Sequence, residues 1–188
     1  HFIDLHSNEL VKSLPSYWED TPDMLRFFSQ ENGKGAQPAG TIPVTLDVTS
    51  LYTNIPIAQG INIFKAFLDT RADKSVPTSF LITLLTLVLT CNILVFNNQY
   101  FLQLIGTAMG TRVAPTFACL FMGAIELMML GAWTGVQPRL YKRYIDDIFL
   151  LWTGSENELL KFISHLNKFH PFLKFKASSN FETRTVEF

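Results

Sequence analysis

Residues 140–152 place two adjacent carboxylates, Asp146 and Asp147, between an apolar-rich run from Leu140 to Ile145 and a second from Ile148 to Trp152. Aspartate is disfavoured within strands and suited to tight turns, which predicts a β-hairpin with the Asp pair at its bend. Carboxylates side by side repel, and a cation between them offsets that cost. A hard divalent ion with oxygen ligands, Mg²⁺ or Mn²⁺, suits such a pair. An isolated Asp-Asp turn is more often a solvated bend, so the metal reading needs a further acid and a surface that assembles it. Asp47 supplies that acid. In Thr41–Asp47 the apolar Ile42, Val44 and Leu46 share one face of a period-two pattern, and Thr45 and Asp47 share the other. This predicts a strand ending on Asp47, with its carboxylate pointing away from the core. If the hairpin pairs with this strand in an antiparallel sheet, the acids converge on the uncovered face. Two divalent ions there would bind a triphosphate, lower the pKa of an attacking hydroxyl and stabilise leaving pyrophosphate. No Ser/His/Asp or Cys/His set competes, because His1, His6, His165 and His170 all lie away from these stretches.

The elements that must position these acids follow from patterning. A short helix is expected from Thr21, with Thr21 as N-cap and Pro22 at the first helical position, after an otherwise irregular segment over 1–40 that includes a Gly33-Lys34-Gly35 loop. After Asp47 the chain turns through Pro56, and Ile57, Ile61, Phe64 and Leu68 mark one side of a helix. Pro77 opens another helix to about Thr90. Ile93–Phe96, Asn97-Asn98 and Tyr100–Ile105 read as a hairpin with a two-residue turn. A Gly-rich loop from Gly106 to Ala114 precedes an apolar helix opened by Pro115, whose Glu126 is expected to face solvent or to pair structurally. A helix from about Ser155 to Phe169 and strands near Phe172–Ala177 and Arg184–Phe188 complete an α+β fold, an antiparallel sheet with helices packed on one face.

At 188 residues, 48% hydrophobic and 16% charged, the chain is long enough for a sizeable core and too apolar for disorder. Seventeen Phe point to thick packing or to apolar surfaces that other segments cover. A formal charge of −1 says nothing in favour of nucleic acid, because a dedicated binder is usually basic, although Arg112, Arg139, Lys142, Arg143, Lys174 and Lys176 lie near the motifs. Cys91 and Cys119 sit in apolar runs and fit a reduced intracellular protein without disulfides, and no Cys/His cluster has zinc spacing. The uncharged run Phe80–Phe96 is interrupted by Thr83, Thr86, Thr90 and Asn92, which favours a buried helix and a strand over a membrane span. No secretory signal is visible at His1, and the absence of an initiator Met suggests an excised piece.

Three stretches in order carry a resemblance. Thr45-Leu46-Asp47-Val48-Thr49-Ser50-Leu51-Tyr52-Thr53-Asn54-Ile55-Pro56, Gly106-Thr107-Ala108-Met109-Gly110-Thr111-Arg112-Val113-Ala114-Pro115 and Tyr144-Ile145-Asp146-Asp147 resemble reverse-transcriptase palm motifs A, B and C. The wording is most similar to the reverse transcriptases of Penelope-like retroelements, from about Leu14 to Phe188. The resemblance implies an RNA-directed DNA polymerase with two Mg²⁺ ions (or Mn²⁺) on Asp47, Asp146 and Asp147, Asp47 and Asp146 being the principal ligands. It implies an RNA template, a DNA primer and dNTP as partners, no membrane, and an intracellular location, in the nucleus or else the cytoplasm. The backbone from Val48 through Thr49 and Ser50 to Leu51 would approach the triphosphate, and Tyr52 would exclude a ribose 2′-OH. Gly106 and Gly110 would let the loop approach the templating pair closely. Met109, beside the nucleotide with Gly110, stands where many relatives carry Gln, which removes a polar contact. Ala114 and Pro115 match the start of the motif B helix, and Arg112 would reach a phosphate. Lys174 or Lys176 would serve motif D by protonating pyrophosphate.

The resemblance also sets the expected organisation: residues 1–40 lead into the palm with a possible remnant of fingers, 41–188 form the palm, and the thumb and most of the fingers lie outside. The neutral charge then follows, because most of the phosphate grip belongs to those parts. Two other readings stay open at this stage: an RNA-dependent RNA polymerase palm, which Tyr52 opposes, and a non-catalytic RNA- or protein-binding descendant, which the three Asp residues oppose.

Overall fold

In a computed structural model of the chain, residues 1–33 and 37–186 are described. Lys34 and Gly35 of the expected loop, and Glu187 and Phe188 at the end of the last expected strand, lie outside them. Packing divides the chain into two compact units, one of residues 1–14 and 50–125, the other of 15–49 and 126–188.

The second unit is built on a four-stranded antiparallel sheet. In β1 (Ile42–Val48) burial alternates as the sequence pattern requires, with Ile42, Val44, Leu46 and Val48 buried and Asp47 exposed. The hairpin β4 (Leu140–Tyr144) and β5 (Asp147–Trp152) joins it through β5, and β6 (Phe175–Ser179) pairs with the other edge of β1, giving the order β4-β5-β1-β6. Against the apolar face lies α8 (Glu156–Phe169), whose Leu159, Phe162 and Leu166 are buried, with Phe162 stacked on Trp152 at 5.4 Å. Its start is fixed by a capping box, in which the Ser155 hydroxyl accepts from the Glu158 amide and the Glu158 carboxylate accepts from the Ser155 amide.

On the opposite face, α3 (Thr21–Gly33) brings Phe28 to 5.1 Å from Phe149, with Trp18 and Phe27 in the same aromatic cluster. Phe149 is two positions beyond Asp147 in β5, so this cluster covers the acidic face away from the turn and leaves the turn end open. The cap of α3 is Asp20, whose carboxylate accepts from the Asp23 amide at 2.7 Å, one residue before the expected Thr21. The outer edge of β4 is covered by residues 15–18, through Arg143 N donating to Ser16 O at 2.6 Å and Trp18 N donating to Arg143 O at 2.9 Å.

The first unit is mainly helical. It contains α1 (Phe2–Leu5), α2 (Asn8–Lys12), α4 (Leu51–Asn54), α5 (Ile57–Thr70) and α6 (Thr78–Thr90). The chain then forms the hairpin β2 (Ile93–Phe96) and β3 (Gln99–Leu102) and enters α7 (Ala114–Gly131), whose residues from Glu126 belong to the other unit. The segment expected to be irregular thus holds α1 and α2, which at four and five residues are too short to show a helical period. Asn97 and Asn98 both take positive φ (50° and 58°), the pair a two-residue hairpin turn needs. Among the described residues α7 alone is long and apolar enough by composition to cross a membrane, and most of it is buried. The last expected strand is absent over Arg184–Val186, and β6 begins at Phe175, three residues later than expected.

Gly60 of α5 sits where a Cβ would lie 2.2 Å from the ring of Phe117, which is wholly buried against Phe64. Helix propensity alone favours Gly60→Ala by about 1 kcal/mol. Overpacking against a wholly buried ring costs about 1–3 kcal/mol and outweighs that gain. Gly60→Ala should therefore lower the denaturation midpoint; a raised midpoint would show that Phe117 yields.

Candidate active site

The register of β1 against β5 places Asp47 directly opposite Asp147, and β1 against β6 places it opposite Lys176. The Asp face of these three strands therefore reads Asp147, Asp47, Lys176 across the sheet. Asp146 occupies the turn between β4 and β5, and its carbonyl accepts a hydrogen bond from Val48 N at 3.0 Å, which ties the turn to the residue after Asp47. A cavity of about 460 Å³ opens on this face, lined by Thr45, Asp47, Asp147, Lys176 and Ser178. A second, of about 190 Å³, lies on the other side of Asp147 against Trp18, Asp20, Met24 and Tyr144. Asp147 is held above the ordinary carboxylate range by partial burial first, then by the charges of Asp146 and Asp47. The like charges are thus close enough to feel one another.

Among the described residues no group of three or more His, Cys, Asp or Glu side chains is disposed to hold a metal ion by itself. Mg²⁺ does not require such a cage: it keeps several waters and takes one or two carboxylates together with substrate phosphates. The facing Asp47 and Asp147, which line an open cavity, with Asp146 next to Asp147 in the turn, fit that mode of binding. Lys176 is separated from Lys174 by its surroundings. Lys174 Nζ donates to the Asn167 carbonyl at 3.0 Å, whereas Lys176 lines the cavity with the two acids. Periodicity could not separate them, since they are two residues apart on one face; the register does.

The turn is unusual. Ile145 takes φ 54°, a left-handed conformation that a β-branched residue rarely adopts. Its carbonyl accepts from Arg143 Nη1 at 2.8 Å. Arg143 is fully buried and is paired with Glu126 through Nε to Oε1 at 2.6 Å and Nη2 to Oε2 at 3.3 Å. Ser16 Oγ donates to the same carboxylate at 2.6 Å. Tyr141 adds a buried hydroxyl whose ionisation is pushed well up, by desolvation first and then by the Glu126 charge. Sequence reasoning allowed Glu126 a structural partner but did not find Arg143 or Ser16. The signal was an acid within an apolar helix and an arginine within an apolar strand, both needing a buried counter-charge.

The remaining motif residues fall into two groups. Val48 is buried and Thr49 N donates to Lys174 O at 2.9 Å, both in the unit of the acids. Ser50, Leu51, Tyr52, Met109 and Gly110 belong to the other unit. There Ser50 takes φ 52° before α4, Leu51 is buried and Tyr52 half-buried. Thr107 N donates to Tyr52 O at 2.7 Å and Gly106 N to Ile55 O at 3.0 Å, so the start of the Gly-rich loop is docked on α4. A Cβ at Gly106 would lie 2.4 Å from Tyr52 O. The close approach at Gly106 is therefore made to this chain's own backbone. Gly110 has open space around it, and Met109 and Arg112 are exposed.

No family model matches this sequence, and no curated protein matches it. Solved structures do. Telomerase from Candida albicans, in complex with a TWJ fragment of telomeric RNA, superposes with TM-score 0.74 at 10% identity, over 98% of this chain and 35% of that one. Apo telomerase from Candida tropicalis gives 0.68 at 15% identity, over 95% and 35%. The same enzyme truncated from its C-terminal domain gives 0.64 at 17%, over 95% and 39%. This chain thus spans little more than a third of the proteins it matches. At these identities the likeness is one of fold: an α+β, palm-like antiparallel sheet with helices, as in the matched part of those telomerases.

The raised pKa of Asp147 has a thermodynamic consequence. A carboxyl whose folded pKa exceeds its unfolded one stabilises the fold below the unfolded value, near 3.8, and loses that contribution as pH rises through the folded value. At neutral pH without divalent ions, the ionised group is a burden. Asp147→Asn should melt higher than the parent at pH 7 in chelator, and the difference should shrink towards pH 3. An equal melting point at both pH values would show that Asp147 is not disfavoured as an anion by burial or by its neighbours.

Proposed function

We propose that this chain is the palm of an RNA-directed DNA polymerase, of the Penelope-like retroelement kind, which adds deoxynucleotides to a primer 3′-OH. The observation that carries the reading is the Asp47–Asp147 register pair, with Asp146 bonded to Val48 through its carbonyl, on an open face of a reverse-transcriptase-like fold. Asp47, Asp146 and Asp147 would hold Mg²⁺ ions (or Mn²⁺), which supply charge neutralisation and activation of the primer hydroxyl when bound. Asp47 and Asp147 orient the reacting groups from facing strands, and Asp146 from the turn. Lys176, beside Asp47, neutralises the departing pyrophosphate and gives it a proton. The backbone of Val48 and Thr49, in the same unit as the acids, receives the triphosphate. The Tyr52 ring excludes the ribose 2′-OH, because a hydroxyl buried against it finds no partner. The RNA in the Candida albicans telomerase complex supports an RNA partner. A DNA primer, dNTP and a nuclear location complete the proposal.

Primer extension on an RNA template with dNTP and Mg²⁺ tests it. In the full-length protein the parent should extend, and Asp146→Ala should fall to background while binding template–primer as the parent does; these 188 residues alone should be inactive. Extension that survives Asp146→Ala would sink the mechanism. Lys176→Ala should slow single-nucleotide addition about a hundredfold, with Lys174→Ala near the parent; the reverse ranking would reassign the proton donor.

A further inference from the structure

Beyond the acids, the structure supplies a means of holding them. The two-residue turn that carries Asp146 would not keep Ile145 at φ 54° by local preference, since a β-branched side chain disfavours that region. That residue's own carbonyl accepts from Arg143 Nη1 at 2.8 Å. The guanidinium making it is 0% exposed, and its Nε and Nη2 are engaged by Glu126, itself 3% exposed. Glu126 is held in turn by Ser16 Oγ at 2.6 Å, from a segment whose backbone bonds to Arg143. A planar guanidinium grips a carboxylate with one edge while directing another donor at a fixed angle; an ammonium cannot do both. Three separate stretches of chain, at residues 16, 126 and 143, thereby fix one carbonyl in the acidic turn.

We propose that the Glu126–Arg143 pair, braced by Ser16, is a positioning device that sets the backbone of the Ile145–Asp146 turn and so places Asp146 and Asp147 for divalent ions. The proposal rests on the polymerase reading for the purpose of the turn, and on this geometry for the bracing itself. Groups that orient metal ligands from behind change metal affinity about 10–100-fold when removed. Arg143→Lys keeps the buried charge opposite Glu126 but loses the fork. In the intact protein it should remain cooperatively folded, with amide hydrogen exchange at Asp146 and Asp147 about tenfold faster. Mn²⁺ affinity, followed by electron paramagnetic resonance, should weaken by about tenfold. In primer extension, kcat should fall with KM for template–primer unchanged. Ser16→Ala leaves the ion pair intact and should move exchange and affinity in the same direction by a smaller factor, so it decides the matter if Arg143→Lys does not fold. Folded variants with the parent's turn exchange and Mn²⁺ affinity would overturn the proposal. If the parent binds no Mn²⁺, the polymerase reading fails, and exchange at the turn alone upholds or overturns the bracing.

Discussion

Asp47 and Asp147 face each other because Ile42, Val44 and Leu46 of β1 and Ile148, Leu150 and Trp152 of β5 must all reach the apolar face together. The side-chain period of a strand is two, so a slip of β5 by one residue against β1 would turn Ile148, Leu150 and Trp152 outward and Asp147 inward. The register is held by far more apolar surface than the acids can oppose, and the pairing of β6 with β1 extends it to Lys176. Fixing that single alignment fixes an acid, a facing acid and a cation in one row. The chemistry assigned to this face depends on that row more than on any individual side chain.

The same alignment forces like charges together. Asp147 is disfavoured as an anion by burial and by both neighbouring carboxylates, and the fold must supply the compensating stability elsewhere. It does so on the opposite side of the sheet, where Trp152 stacks on Phe162 and the buried side of α8 closes the layer. On the acidic face itself, the Trp18, Phe27, Phe28 and Phe149 cluster covers the end away from the turn. Stability and solvent access are thus segregated along the strands: aromatic packing at one end, open cavities around Asp147 at the other.

What the sequence revealed follows the same division. Period-two alternation found β1 and the outward direction of Asp47, and the Pro77 and Ser155 start signals placed α6 and α8, because those features depend on neighbours along the chain. The α+β class and the two hairpins were legible for the same reason. The helices α1 and α2 were not, since at four and five residues each spans too little to repeat a helical period. Lys174 and Lys176 look alike in sequence and differ only in what lies beside them in the fold. Gly106 was legible as a close approach but not as one made to the backbone of Tyr52.

The buried Glu126–Arg143 pair was the least legible feature and the least easily explained by stability. Removing two charges from water is costly, and a well-packed apolar pair in the same space is often as stable or more so. Its presence between 0% and 3% exposure therefore asks for a geometric reason. Leu and Met at these positions would fill the volume, but neither could donate to the Ile145 carbonyl. An apolar pair would leave that carbonyl, and the left-handed residue bearing it, to the turn's own preferences. A charged pair in this place exchanges some stability for a fixed direction, and a turn bearing mutually repelling acids is where direction matters most.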